Sequence, residues 1–206
     1  MMKSHMDLPE IAEATGKRKE LYDRIQAERG EGHISSVFQA YGTLPEVGMQ
    51  IFDSQNELLD SGRLSRIFKV ALMVAMSEVN KSDPCVSYLG SIIKKMGVTD
   101  EQVDAIRRLD VTPLGFSEKE QGLFDLAIKA NREARKVTRQ DWDHLRDDLG
   151  ATDEEIMETL VSVNTVHNFN LITCATGGGK EAWYTYNMED YEPEETEPGK
   201  SSVAAE

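Results

Sequence analysis

Apolar residues in this chain recur three and four positions apart almost throughout, and runs of alternating β-branched residues are missing. That period fits the 3.6-residue turn of a helix rather than the two-residue repeat of a strand, so the spacing predicts an all-α chain. The punctuation agrees. Gly30 and Gly32 close a charge-rich amphipathic helix predicted over 8–29, and a short helix follows over 34–41. Gly42-Thr43-Leu44-Pro45 turns the chain, with Pro45 suited to the first position of a helix over 46–60. Ser61-Gly62 breaks it again before 64–79, the most apolar stretch, which belongs at the centre of the core. Helices over 85–96, 99–109, 117–135, 138–149 and 152–173 complete the set. Cap signals open three of them: Thr99 with Gln102, Ser117 with Glu120, and Thr152 or Asp153 followed by Glu154 and Glu155. The segments starting at Gly97 and Gly150 share Gly-x-Thr-Asp-Glu, which reads as one cap chemistry used twice or as a duplicated helical unit.

Length and charge narrow the function. At 206 residues with 39% apolar content the chain supports one core of domain size, expected over 1–187. Residues 188–206 are acidic, rich in Pro and Ser and without apolar periodicity. They read as a disordered tail dispensable for folding, with Trp183 and Tyr184 pinning its start. A formal charge of -14 and a pI near 4.8 argue against nucleic acid as a partner. No apolar run approaches the ~20 residues of a membrane span, and the N-terminal segment lacks the apolar stretch of a signal peptide, so a cytoplasmic location without membrane partners is expected. Two cysteines are too few for a disulfide scaffold or a four-Cys zinc site. No two-His, Glu-x-x-His or Cys-x-x-Cys pattern supports a metal, and no cofactor is expected. Gly177-Gly178-Gly179-Lys180 follows a helix and lacks the spacing of a phosphate loop. Any thiol role must therefore be chemical.

Residues able to carry chemistry gather in two places. Ser82, Cys85 and Leu89 stand at i, i+3 and i+7, one face of a helix. With Asp83 as N-cap and Pro84 first in the helix, the Cys85 sulfur lies near free backbone N–H groups. Those groups and the helix dipole favour thiolate, lowering the thiol from its free value of about 8.5, while Asp83 opposes this. Ser82 reads as a helix cap or as part of a site, and Cys85 as a small buried apolar residue or as a reactive thiol. His167, Asn170 and Cys174 also fall at i, i+3 and i+7, with Asn164 and Asn168 nearby. A polar cluster in an apolar helix needs hydrogen-bond partners or a ligand. It either faces the Cys85 helix, offering His167 as acid or base, or bridges helices at an oligomer interface. Glu78, the nearest carboxylate in sequence, reads as a solvated helix end. His33 and His144 are expected to face solvent, and His5 lies in the N-terminal leader.

In order and spacing, residues 8–178 resemble the AhpD-like, carboxymuconolactone decarboxylase superfamily. The resemblance rests on Arg29-Gly30, a Pro-containing turn before a long helix, and Gly62-x-Leu64 leading into the apolar helix. It continues through Ser82-Asp83-Pro84-Cys85-Val86-Ser87-Tyr88-Leu89, Gly97-Val98-Thr99-Asp100-Glu101, Phe116-Ser117-x-x-Glu120, Trp142, and Asn168-Phe169-Asn170. It implies an AhpD-like helical bundle assembling as a homo-oligomer, a trimer or hexamer, and the apolar surface of 64–79 is expected to contribute to assembly. In the peroxidase branch a C-x-x-C-x-x-x-H helix works with an upstream Glu. Those positions project onto Val70 for the Glu, Ser82 for the first Cys, Cys85 for the Cys that attacks peroxide, and Leu89 for the His. Only Cys85 is kept. The resemblance therefore implies a peroxidase-related oxidoreductase site in remnant form, with dithiol turnover weak or absent for want of a resolving partner in the motif. Cys85, Ser82 and His167 are the expected chemical residues, and Tyr88, Asn168 and Asn170 the expected contacts to a small-molecule substrate. Three alternatives stay open: Cys85 resolved by an external thiol or by Cys174, a decarboxylase- or isomerase-type reaction using His167, or a non-catalytic scaffold or small-molecule-binding protein.

Overall fold

Ten consecutive residues, Phe68 to Ser77, are buried in the helix α4 (Arg66–Val79). A helix without a wet face must be covered on every side. The computed structural model describes residues 5–178, so the expected tail and Trp183 and Tyr184 lie outside the described residues. Around α4 the chain places α1 (Gly16–Arg29), α2 (Ser36–Tyr41), α3 (Pro45–Asp60), α5 (Asp83–Lys95), α6 (Asp100–Arg107), α7 (Glu118–Glu133), α8 (Arg139–Asp143) and α9 (Asp153–Thr176). The described residues contain no strand, as the all-α reading requires. None of their helices is long and apolar enough to cross a membrane.

α4 packs on α3, α5, α6, α7 and α9, and Phe68, Leu72, Met76, Ile93, Val103, Phe124 and Ile156 belong to this main core. A smaller core joins α1, α2 and α3 through Leu21, Ile25, Phe38 and Phe52, with Phe169 and Ile172 of α9 against it. α9 thus touches both cores. The capping boxes expected at Thr99/Gln102 and Ser117/Glu120 are present, and Thr152 with Glu155 forms a third.

Three expectations need correction. The first helix starts at Gly16 rather than near Leu8, because Thr15 is extended and Gly16 takes φ +55°; Ile11 and Ala14 instead lie against the smaller core. The expected helix over 138–149 is α8 followed by a π-helical turn, His144–Asp148. Finally, the apolar surface of α4 is not offered to a second copy, since the chain's own helices cover it. Among the described residues the large exposed apolar side chains are Leu44 and Val47 at the start of α3 and Met157, Val161 and Leu171 on α9.

One cation sits inside this core. The Lys69 side chain is 1% exposed and pairs with Glu158 at 2.5 Å. Its Nζ also donates to the carbonyls of Leu58 at 2.7 Å and Ser61 at 2.5 Å. Two carbonyls thus accept from the ammonium, and the Glu158 carboxylate balances its charge. Glu158 Oε2 in turn accepts from the backbone N–H of Arg63 at 2.9 Å and Leu64 at 3.2 Å. The connector from α3 to α4 is held by both its carbonyls and its amides. Gly62 lies within it at φ +87°, and a Cβ there would run into the Glu158 carboxylate.

Glu158→Ala strands a buried ammonium, and should cost about 3–5 kcal/mol and lower the Tm on the order of 10 °C. The double change Lys69→Met with Glu158→Leu should recover most of the loss in thermal unfolding. A single-variant loss below about 1 kcal/mol would contradict this role for the pair. Gly62→Ala should destabilise in the same direction, because it forces both the left-handed backbone and the carboxylate aside.

Candidate functional site around Cys85

The chain leaves α4 through Lys81 at φ +54° and enters α5 with Ser82 at the N-cap, Asp83 and Pro84 opening the helix. Ser82 N–H donates back to Ser77 O at 2.9 Å, folding the turn under α4, and the Ser82 residue is fully buried. Its hydroxyl does not cap α5. Instead it accepts from the Cys174 thiol of α9 at 3.3 Å. Ser82 therefore holds the cap position while its side chain serves a contact between helices.

Three residues further on, Cys85 is buried and donates to Thr173 Oγ1 at 3.7 Å. Behind it runs a line of amides. Asn131 Nδ2 donates to Asn80 Oδ1 at 2.8 Å, Asn80 Nδ2 to Asn170 Oδ1 at 2.9 Å, and Asn170 Nδ2 to Ser77 Oγ at 3.0 Å. This seam ties α4, α7 and α9 together beside the sulfur and satisfies groups that would otherwise be costly to bury.

Burial pushes the Cys85 thiol above its ordinary value, while hydrogen bonding with Ser82, Asn170 and Thr173 pulls the other way and Cys174 adds to the rise. The expected depression by the helix N-terminus is overturned, because desolvation of the anion outweighs the donors around it. Glu78 accepts from Arg107 Nε at 2.7 Å and is engaged there. Burial, with Glu78 nearby, raises the Asp83 carboxyl as well.

In front of the sulfur is a narrow, partly open cleft of about 30 Å³, so a ligand larger than a water or a peroxide must part its walls. Val37, Phe38, Met73, Leu89, Val166 and Phe169 make it mainly apolar, and Cys85, Thr173, Tyr88, Gln55, Ser35 and Arg29 bring polar groups to it. The Arg29 guanidinium lies 5.1 Å from the Phe38 ring centre and 4.9 Å from that of Phe52, and it donates to Gln55 Oε1 at 2.8 Å and Tyr88 Oη at 3.5 Å. Among the described residues no carboxylate pairs with it. The cleft thus has a thiol on one side, a cation held by rings and neutral acceptors on another, and hydrocarbon between.

Of the sequence-predicted residues, Cys85, Ser82 and Asn170 come together, and Tyr88 lines the same cleft. Asn168 accepts from Tyr41 Oη at 2.7 Å and borders a separate recess between α3 and α9. His167 is exposed and does not line the Cys85 cleft. The inward stripe of α9 is Val163, Val166, Asn170 and Thr173, whereas Asn164, His167, Leu171 and Cys174 share the outward one. Cys174 nevertheless reaches Ser82, because it sits where the end of α9 passes the start of α5. His167 lies two turns earlier, about 10 Å along the axis.

Sequence reasoning gave no role to Arg29, Gln55 or Thr173. For Arg29 a signal existed: it continues the buried stripe Tyr22, Ile25 at i, i+3, i+7, where a charge is out of place. Gln55 and Thr173 show only as polar residues on inward helical faces, recognisable once those faces are known.

No family model matches the sequence, and no curated protein matches it. Among solved structures, an uncharacterized peroxidase-related protein from Silicibacter sp. TM1040 superposes with a TM-score of 0.73 at 20% identity, covering 88% of this chain and 93% of that one. A second, an alkylhydroperoxidase AhpD core from Ralstonia eutropha JMP134, also an uncharacterized peroxidase-related protein, superposes with a TM-score of 0.72 at 21% identity, covering 88% and 94%. Likeness at such identities is one of fold, and it agrees with the helix order and spacing read from the sequence: this chain has the AhpD-like fold.

Proposed function

We propose that the chain is a divergent AhpD-like protein that acts on a small, largely apolar molecule through Cys85, with classical dithiol peroxidase turnover weak or absent. The observation that carries this reading is the placement of the Cys85 thiol in an apolar cleft that also holds the Arg29 guanidinium. Hydrocarbon walls favour an apolar body, and a cation without a carboxylate partner favours an anionic or strongly accepting group at one end of the ligand. Slow turnover follows from two features. Leu89 stands at the position the family uses for its proton-shuttling His, and the Cys85 thiol is raised by burial, so little thiolate is present at neutral pH.

The assembly implied by the resemblance, a trimer or hexamer, is assigned to the outer faces of α3 and α9, where Val47, Val161 and Leu171 are exposed. Sedimentation at micromolar concentration should give one of these states, with Leu171→Glu shifting it toward monomer. A wild-type monomer would contradict the assignment.

Alkylation of Cys85 by iodoacetamide should be slow at pH 7 and keep accelerating beyond pH 9.0, since a raised thiol pKa moves the thiolate to higher pH. A plateau well below that value would contradict the reading. Peroxide consumption by the wild type with a small thiol reductant should stay far below that of a dedicated peroxidase and fall further in Cys85→Ser. Rapid turnover would overturn the claim of a diminished cycle, and no alkylation at any pH would remove the thiol reading.

A further inference from the structure

The chain has two cysteines, 89 positions apart in sequence, and folding brings both to the place where α5 meets the end of α9. Cys174 donates to the Ser82 hydroxyl at 3.3 Å from the end of α9. Cys85, from the first turn of α5 and three residues after Ser82, donates to Oγ1 of Thr173, the residue beside Cys174, at 3.7 Å. The polar seam on α9 that fixes Asn170 and Thr173 against Cys85 also fixes the register of Cys174. The two thiols differ in environment, Cys85 being buried at the cleft and Cys174 exposed.

We propose that Cys85 and Cys174 form a redox couple across α5 and α9, in which a cysteine from another helix does the work that the motif's missing first cysteine would do. This inference rests on the thiol reading of the cleft and extends it. A hydroperoxide entering the cleft is the oxidant. The Cys85 thiolate attacks its terminal oxygen, the O–O bond breaks, and the alkoxide leaves as an alcohol after taking a proton, with Cys85 now a sulfenic acid. Cys174, as thiolate, attacks that sulfur. The S–S bond forms, the S–O bond breaks, and hydroxide leaves as water after protonation. A dithiol reductant returns both sulfurs to thiols by exchange and is itself oxidised to a disulfide. The Ser82 hydroxyl gives up its bond from Cys174 as the sulfurs close. The exposed Cys174 is the sulfur that an external dithiol can reach, so the mixed disulfide of the reducing half-reaction forms there.

The experiment uses the full-length chain, reduced and then treated with a small excess of hydrogen peroxide, blocked with N-ethylmaleimide and measured as intact mass and by peptide mapping. The wild type should lose both free thiols, lighten by two hydrogens and yield a peptide linking Cys85 to Cys174 within one chain. In Cys174→Ser, Cys85 should stop as a sulfenic acid, one oxygen heavier, and pass to the sulfinic acid with more peroxide. Oxidised wild type in which Cys174 remains alkylatable, or in which only chain-to-chain disulfides form, would overturn the couple. If Cys85 is oxidised but not linked, the couple fails while the thiol reading of the cleft stands; if Cys85 stays reduced under all conditions, both fail.

Discussion

The arrangement depends on one buried cation. Lys69 lies buried in the first turn of the most apolar helix, where an uncompensated ammonium would cost several kcal/mol. It donates to two carbonyls at the end of α3 and its charge is balanced by Glu158 of α9, and Glu158 spends its other oxygen on the amides that lead into α4. A single ion pair thereby sets the exit of α3, the start of α4 and the position of α9. From Glu158 to Thr173 is about 22 Å of unbroken helix, so fixing one end of α9 orients the other against Cys85.

At that far end the solution is polar but uncharged. Asn80, Asn131, Asn170 and Ser77 satisfy one another in a line beside the sulfur. The Glu and His that the resemblance would place here are Val70 and Leu89, both buried. The site therefore holds a thiol among neutral donors, in an apolar setting that discourages its ionisation. Across the cleft Arg29 is held by ring faces and neutral acceptors, and so keeps its charge available to a ligand.

The fold was legible because its signals are local. Helical periodicity, Gly breaks such as Gly62 and Gly150, and the Thr99, Ser117 and Thr152 caps each depend on a few neighbouring residues, and they gave helices α2 to α7 and α9 to within a few positions. The start of α1 was misjudged because an apolar pattern in 8–15 serves docking onto the smaller core rather than helix formation. The site was legible only in part. Cys85 and Asn170 stood out as chemistry on helical faces, but which way each face of α9 turns is set by Glu158 far up the helix, so His167 and Asn170 looked equally available. Burial of Cys85, which reverses the expected shift of its thiol, comes from helices distant in sequence. The meeting of Cys174 with Ser82 likewise depends on where α9 ends against α5.

The central claim, that Cys85 and Arg29 serve one small-molecule cleft, is tested most directly by the charge preference of alkylation at Cys85. Iodoacetate and iodoacetamide differ little in size but differ in charge. With Arg29 near the sulfur, the ratio of iodoacetate to iodoacetamide rates should be higher at Cys85 than at Cys174 in the same chain, and should fall in Arg29→Gln. A Cys85 ratio no higher than that of Cys174, or one unchanged by Arg29→Gln, would contradict the account.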